Sequence, residues 1–302
     1  MEDIKKHYQL TKILKRNVER IYPNNELKHA LVKFHMAKSL KDFQDNYSQA
    51  LTLFQEADKQ LEKIGMQDSK ISLQIKFFIG NLYDDLNQSE ESIKILNYVL
   101  TKQILVYGED HSLTGRTYNC LGIAEENRSN LKIAREYYQR SYQIFKKIFG
   151  GIETIDSAKA MNNLAGIFYK WENYNVCLNL YKKVLEIYKY CLGDNNKFVA
   201  ITFNNLGNCS IMLGEDDKAL VYFTKAVDLS MSIFGVNHHQ TATAQKNLGD
   251  AYALSGDKKN AEVMYNNCVN TFLQIYGEDN DMYLLTLAKL KKIKDGESVE
   301  FI

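Results

Sequence analysis

One motif returns five times along this chain at a nearly constant distance, and its period limits the possible folds more than any other feature. The motif is Leu or Ile followed by Gly or Ala, found at Ile79-Gly80, Leu121-Gly122, Leu164-Ala165, Leu206-Gly207 and Leu248-Gly249. Successive copies are 42 or 43 residues apart. Self-similarity at a period of roughly 20–50 residues is typical of repeat proteins, in which similar units stack on their neighbours. The sequence therefore predicts an array of units rather than ordinary globular domains.

Small and large residues follow each Gly or Ala of the motif, here called the anchor, at helical spacing, and the same rows occur once more after Lys38, which stands one period before Gly80. The residue twelve positions on is small: Ala50, Ser92, Ala134, Cys177, Ala219 and Ala261. The residue sixteen positions on is large: Phe54, Leu96, Tyr138, Tyr181, Phe223 and Tyr265. The residue nineteen positions on is again small or β-branched: Ala57, Val99, Ser141, Val184, Ala226 and Cys268. Steps of four and three place these rows on one helical face, which predicts the buried side of a second helix in each unit.

Breaks in the pattern predict where these helices end. A short polar stretch between the anchor and the second helix, such as Gly214-Glu215-Asp216, suits a tight turn between two helices. A glycine in the left-handed conformation commonly stops a helix, and four glycines stand at that point: Gly108, Gly193, Gly235 and Gly277. Acidic or amide residues that could cap the next helix follow: Asp110, Asp194, Asn237 and Asp279. Each unit is thus predicted to be helix, turn, helix and glycine stop.

This pattern resembles the tetratricopeptide repeat family, and in its length it resembles the kinesin light chain type of repeat. The segments Tyr107-Gly-Glu-Asp-His111 and Met161-Asn-Asn-Leu-Ala165 are similar to that type's loop and first-helix signatures. The usual repeat has a period of about 34 residues, and the chain departs from it by a longer unit and by lacking the proline that normally closes each repeat. The resemblance implies an all-α, right-handed solenoid of about six helix pairs, with one capping helix at each end.

The chain divides accordingly into four predicted segments. We expect an N-terminal capping helix within residues 1–26, which Pro23 ends. Six repeats follow over 27–277, of which the first is degenerate, with Lys38 at the anchor. A C-terminal capping helix is expected over 278–294 and a flexible tail over 295–302.

Composition excludes several classes of function. Lys and Arg number 38 and Asp and Glu 37, a net charge of +1 that offers no overall attraction for nucleic acid. No apolar run is long enough to enter and span a membrane, and no apolar segment near Met1 predicts a secretory signal. The five cysteines have no metal-ligand spacing. We therefore predict a cytoplasmic protein, with a ciliary or cytoskeletal location left open, that is not an enzyme and has no catalytic residues, cofactor or metal.

A polar stripe on the first helices is the candidate binding surface. Helical geometry places it opposite the core, at positions six, three and two before the anchor and one and five after it. Amides dominate from the third repeat on, and amides can both donate to and accept from a peptide backbone. In the kinesin light chain type, such asparagines line the groove and hold cargo peptides, and the resemblance implies the same here. The candidate peptide-binding residues are Asn119, Lys159, Asn162, Asn163, Asn204, Asn205, Asn208, Lys246 and Asn247.

The partner is predicted to be a protein or a linear peptide. Basic residues such as Lys159 and acidic residues such as Asp250 both lie on or beside the stripe, and an acidic or aromatic peptide is one hypothesis for the ligand. Three alternatives stay open. The asparagines could be solvated or bonded to a neighbouring repeat. The chain could be a structural subunit of a ciliary, motor or secretion assembly that uses its second helices. It could also be a peptide-sensing regulator, although few residues precede the repeats to form an output domain. Trp171 is interpreted equally as a partner anchor or as a residue packed on Tyr174.

Overall fold

The computed structural model describes residues 2–41 and 46–299, with side chains described from Gln9 onward. The described residues form fourteen helices and no strand. The chain separates into two compact units, residues 1–152 and 153–302. None of the helices in the described part of the chain is long and apolar enough to cross a bilayer.

The first unit holds seven helices, of which α1 stands alone and the others form three pairs. They are α1 (Glu2–Ile21), α2 (Glu26–Lys41), α3 (Tyr47–Lys63), α4 (Lys70–Asp85), α5 (Ser89–Tyr107), α6 (Ser112–Asn127) and α7 (Leu131–Ile148). In each pair the first helix packs against the second, as α2 does on α3, α4 on α5 and α6 on α7.

The second unit repeats this plan with the single helix at its end. Its helices are α8 (Ile155–Lys170), α9 (Tyr174–Leu192), α10 (Lys197–Met212), α11 (Asp216–Phe234), α12 (His239–Leu254), α13 (Lys258–Tyr276) and α14 (Asp281–Lys294). Together the units contain six pairs and two terminal helices, so the predicted all-α fold of repeated helix pairs is confirmed.

The three predicted rows of core residues are buried throughout. Every member of the rows twelve and nineteen positions after the anchor has no exposed surface, and in the row sixteen positions after it Tyr181 is the most exposed at 6 %. Within each unit, the hydrophobic effect thus acts between the two helices of a pair and between neighbouring pairs, through one face of each second helix.

The anchor glycines are required by the large residues opposite them. A Cβ atom added to Gly207 would lie 2.5 Å from Cε1 of Phe223, and one added to Gly122 would lie 2.5 Å from Cε1 of Tyr138. Both rings are fully buried, so neither can move aside into solvent. The absence of a side chain at the anchor lets α10 approach α11, and α6 approach α7, closely enough to bury these rings.

The helix ends differ from the prediction in two respects. The four stop glycines have φ between +81° and +87°, as expected, but ψ lies near 170° or −176° rather than in the left-handed helical region. This extended positive-φ region is essentially restricted to glycine. It carries the chain further before the next helix starts, so the N-cap is always the third residue after the glycine: His111, Asn196, His238 and Asn280. The prediction of caps at Asp110, Asp194, Asn237 and Asp279 was wrong.

Residues after α14 return to the second unit. The backbone N–H of Glu297 donates to the carbonyl of Lys292, and Val299 is only 8 % exposed within the cluster around Tyr265 and Phe272. In the described part of the predicted tail, Val299 is buried whereas residues 295–298 are exposed, and residues 300–302 lie outside the described residues.

Candidate functional site

The amide residues of the stripe in the second unit lie on α8 and α10 and are half-buried. Asn162 and Asn163 project from α8, and Asn204, Asn205 and Asn208 from α10, all with intermediate exposure. Their neighbours at the core positions, such as Leu206, are fully buried. The stripe thus lies at the margin between core and solvent, whereas helical geometry predicted it opposite the core.

Hydrogen bonds join members of the stripe to one another. Nδ2 of Asn247 on α12 donates to Oδ1 of Asn204 on α10 over 2.9 Å. Nδ2 of Asn162 donates to Oδ1 of Asn163 over 3.4 Å. The first of these bonds connects consecutive repeats, so the interpretation of the asparagines as contacts between repeats is correct for this pair.

Asn208 differs from its neighbours because part of its amide has no partner. Its Oδ1 atom is buried and accepts no hydrogen bond. Leaving a buried acceptor unpaired costs about 1–3 kcal/mol. In the first unit, Asn81 stands at the same position relative to its anchor, and its Oδ1 atom is also buried and unpaired.

Lys246 and Asn247 lie inside the protein rather than on an open surface, contrary to expectation. They are 6 % and 8 % exposed, and Asp250 on the same helix is 1 % exposed. Nζ of Lys246 donates to Asp250 Oδ2 over 3.2 Å and to Asn247 Oδ1 over 3.3 Å. The C-terminal helix α14 contributes Lys289, whose Nζ donates to both Asp250 oxygens at 2.9 and 3.0 Å. In the last repeat, the stripe residues are therefore buried in a polar network and do not form an open surface.

The electrostatics of this network follow from its burial. The hydroxyl of Tyr265 donates to Asp250 Oδ1 over 2.6 Å. Desolvation and the Asp250 carboxylate both raise the pKa of Tyr265 far above its usual value. Desolvation lowers the pKa of Lys289 even though Asp250 opposes this change. One carboxylate thus balances two buried ammonium groups, which makes Asp250 a structural residue at the end of the second unit.

The remaining predicted residues are separated from the amides of α8 and α10 in different ways. Lys159 is half-buried at the start of α8, 3.5 Å from Asp156 Oδ1 and 5.6 Å from the centroid of the Phe198 ring. Asn119 is half-buried on α6 and belongs to the first unit. The candidate surface in the second unit thus consists of Asn162, Asn163 and the three α10 asparagines, with Lys159 at one edge.

The first unit has a cavity that the sequence reasoning missed. It has a volume of about 350 Å³ and lies among α4, the end of α5 and the start of α6. Its walls are mostly apolar or aromatic, with basic and amide groups added: Lys70, Ile71, Leu73, Gln74, Phe77, Phe78, Gln103, Tyr107, Leu113 and Arg116. We call it the basic cavity. The presence of Phe77 and Phe78 at stripe positions, where later repeats have asparagine, was the sequence signal for it.

A smaller cavity of opposite charge lies further along α4 and α6, and α2 also contributes to it. It measures about 190 Å³ and is lined by Lys41, Asn81, Asp84, Asp85, Cys120 and Ile123. Asp84 accepts hydrogen bonds from Ser89 Oγ over 2.8 Å and from Asn127 Nδ2 over 3.0 Å. Desolvation raises the pKa of Asp85, although the charge of Lys41 acts in the opposite direction. We call this the acidic cavity.

Other residues singled out in the sequence have local roles. The Trp171 ring packs edge-on against Phe168, with centroids 6.0 Å apart, whereas Tyr174 packs against Tyr169. His111 and His238 are N-caps whose Nδ1 atoms accept from Leu113 and Gln240 backbone N–H groups. Within residues 2–41 and 46–299, no three His, Cys, Asp or Glu side chains gather as they would around a metal ion.

Comparisons with known proteins agree with this arrangement. The model of the Tetratricopeptide repeat family matches in three overlapping segments, residues 113–190, 156–232 and 198–274, which together cover more than half of the chain. No match was found among curated protein sequences.

Solved structures share the fold at low sequence identity. BtubC (BKLC) from P. vanneervenii is 18 % identical with a TM-score of 0.64, over 78 % of this chain and 94 % of that one. A putative kinesin light chain from Podosopora anserina with nearly identical TPR-like repeats is 15 % identical with a TM-score of 0.57, over 69 % and 97 %. A Rap protein complexed with Competence and Sporulation Factor is 16 % identical with a TM-score of 0.64, over 97 % and 84 %.

The repeated helix pairs, the glycine anchors under large buried residues and the match over residues 113–274 have one explanation. The chain belongs to the tetratricopeptide repeat family.

Proposed function

We propose that this chain is a non-enzymatic protein-interaction module that binds an extended segment of a partner protein along the amide stripe of α8 and α10. The observation that carries the proposal is the row of half-exposed amides that these two helices present together: Asn162, Asn163, Asn204, Asn205 and Asn208. An extended backbone presents N–H and C=O groups along its length, and asparagine can pair with either.

The stripe is also held ready for such a ligand. The bond between Asn247 and Asn204 fixes the Asn204 side chain, and the bond between Asn162 and Asn163 fixes a second amide. Less side-chain entropy is then lost when a ligand binds. This favours a surface used for recognition of main-chain groups, with partner specificity supplied by neighbouring side chains.

The test is a quadruple variant in which Asn162, Asn163, Asn204 and Asn205 become Ala. Partners are first captured with the wild-type chain and mapped to a linear segment, whose affinity is then measured. Each lost hydrogen bond contributes about 0.5–1.5 kcal/mol, so the variant should bind the segment about a hundredfold or more weakly. The matched control replaces four exposed asparagines of the second helices: Asn175, Asn179, Asn267 and Asn270. Equal affinity of the wild-type chain and the stripe variant would refute the proposal.

A second candidate is supported by apolar residues exposed on the second helices. Tyr190 is 89 % exposed on α9, and Val221 and Val263 are about half exposed at equivalent positions of α11 and α13. A subunit of a larger assembly could bury them against its neighbours. In that case Val221→Asp with Val263→Asp would release the chain from its complex, whereas the asparagine variant would still co-purify.

A further inference from the structure

We propose that the first unit binds a linear peptide segment carrying two opposite charges, an acidic residue beside an apolar one and a basic residue about four positions away. The acidic and apolar residues would occupy the basic cavity, and the basic residue the acidic cavity. This rests on the proposed function in that the ligand is an extended protein segment, but it uses α4 and α6 of the first unit.

The basic cavity has the size and lining of a side-chain binding site. Its volume of about 350 Å³ lies within the range of ligand pockets, which are mostly apolar with a few polar groups. Phe77, Tyr107 and Leu113 offer apolar contact, while the charged residues among its ten lining residues are Lys70 and Arg116. Lys70 Nζ lies 5.6 Å from the centroid of the Tyr107 ring. A carboxylate next to an apolar side chain is the complementary ligand, because a carboxylate forms a strong charge-assisted hydrogen bond with an ammonium group such as that of Lys70.

The acidic cavity requires the opposite charge. Asp84 and Asp85 outnumber the one cation, Lys41, among its lining residues. An ammonium or guanidinium group carries only donors and could pair with both carboxylates.

The spacing between the charges follows from the shared helix. The α4 residues of the basic cavity run from Lys70 to Phe78 and those of the acidic cavity from Asn81 to Asp85. Their midpoints are about nine residues apart, or about 13 Å along the helix axis. An extended peptide covers that distance in about four residues. The two cavities therefore select a ligand by the signs of its two charges and by the distance between them.

The experiment uses the full chain and two fluorescent peptides of one length. The first peptide contains adjacent leucine and glutamate residues, with a lysine four residues further on. In the second peptide, the glutamate and the lysine are exchanged. Both peptides are also tested with the order of their residues reversed, because a peptide can bind in either chain direction. We expect the first peptide to bind, and Lys70→Glu or Asp85→Lys to weaken it about tenfold or more. The combined variant, Lys70→Glu with Asp85→Lys, should instead prefer the exchanged peptide, an outcome that misfolding cannot produce.

Lys94→Glu and Glu91→Lys are the matched controls, because both residues are exposed on α5 and line neither cavity. Failure of both peptides to bind, or binding that the two cavity variants leave unchanged, would overturn this inference. Loss of binding of a captured natural segment in the asparagine variant alone would uphold the proposed function and refute this one. If binding of that segment is lost in the cavity variants alone, this inference is upheld and the proposed function is refuted.

Discussion

Substituting Gly207 tests whether the anchor glycines set the distance between paired helices. In Gly207→Ala, the new Cβ would lie 2.5, 2.6 and 2.7 Å from three carbons of the Phe223 ring, closer than real Cβ contacts. Phe223 has no exposed surface, so its ring has no free space into which it could turn. The substitution must therefore displace the ring or separate α10 from α11.

Two opposing effects determine the magnitude. Removing glycine from a helix restricts the unfolded chain and stabilises the fold by about 0.4–1 kcal/mol where alanine fits. Overpacking a core costs about 1–3 kcal/mol. We expect the second effect to prevail, with a net destabilisation of about 1–2 kcal/mol.

Gly166→Ala is the matched control in the same unit. Its Cβ would meet only the Tyr181 hydroxyl oxygen, at an ordinary distance of 3.8 Å. The same chemical change should therefore stabilise the protein by about 0.4–1 kcal/mol. Urea denaturation gives the free energies, and hydrogen exchange shows whether α10 and α11 open first, as expected when repeats couple to their nearest neighbours.

The reasoning is refuted if Gly207→Ala is as stable as Gly166→Ala. A double-mutant cycle identifies the cause more directly. In a Phe223→Ala background the ring is gone, so Gly207→Ala should become stabilising. A cost that persists there would show that the anchor glycine is needed for some reason other than the ring.

Two further predictions concern charge in the second unit. Desolvation lowers the pKa of His238 from its ordinary value of 6.5. The Nδ1 atom of His238 must be unprotonated to accept a hydrogen bond from the Gln240 N–H. The stabilisation that this cap gives the folded protein is therefore present above about pH 6.5 and is lost as the pH falls through the lowered pKa. His238→Asn, which copies the cap at Asn196, should weaken this dependence in melting curves recorded from neutral to acidic pH, and an unchanged profile would contradict the assignment. Asp250→Asn should cost about 3–5 kcal/mol in urea denaturation, because it leaves two lysines buried without a counter-charge. Adding Lys289→Met should restore part of that loss, and a single variant as stable as the wild type would show that the network contributes little.

The sequence alone was sufficient to predict the helix pairs and their core. The predicted rows, from Ala50 to Cys268, depend on contacts between neighbouring helices, and such contacts leave a periodic trace in the sequence. The clash of a Cβ at Gly207 with Phe223 explains why glycine and a large residue recur sixteen positions apart. The caps were misplaced because a loop conformation, here the extended ψ of the stop glycines, is not expressed in any periodic pattern.

Only the tertiary structure decided which polar residues remain available to a partner. The sequence pattern placed Asn204 and Lys246 in the same stripe, yet Lys246 is 6 % exposed, because the network around Asp250 includes Lys289 from the terminal helix. Each cavity of the first unit forms where residues from three helices converge. These include Phe77, Tyr107 and Arg116 in the basic cavity, and Lys41, Asp84 and Cys120 in the acidic cavity. Periodicity records which face of each helix is buried, since every repeat buries the same face. The chemistry of a cavity depends on residues that differ from repeat to repeat and meet only when the helices have packed.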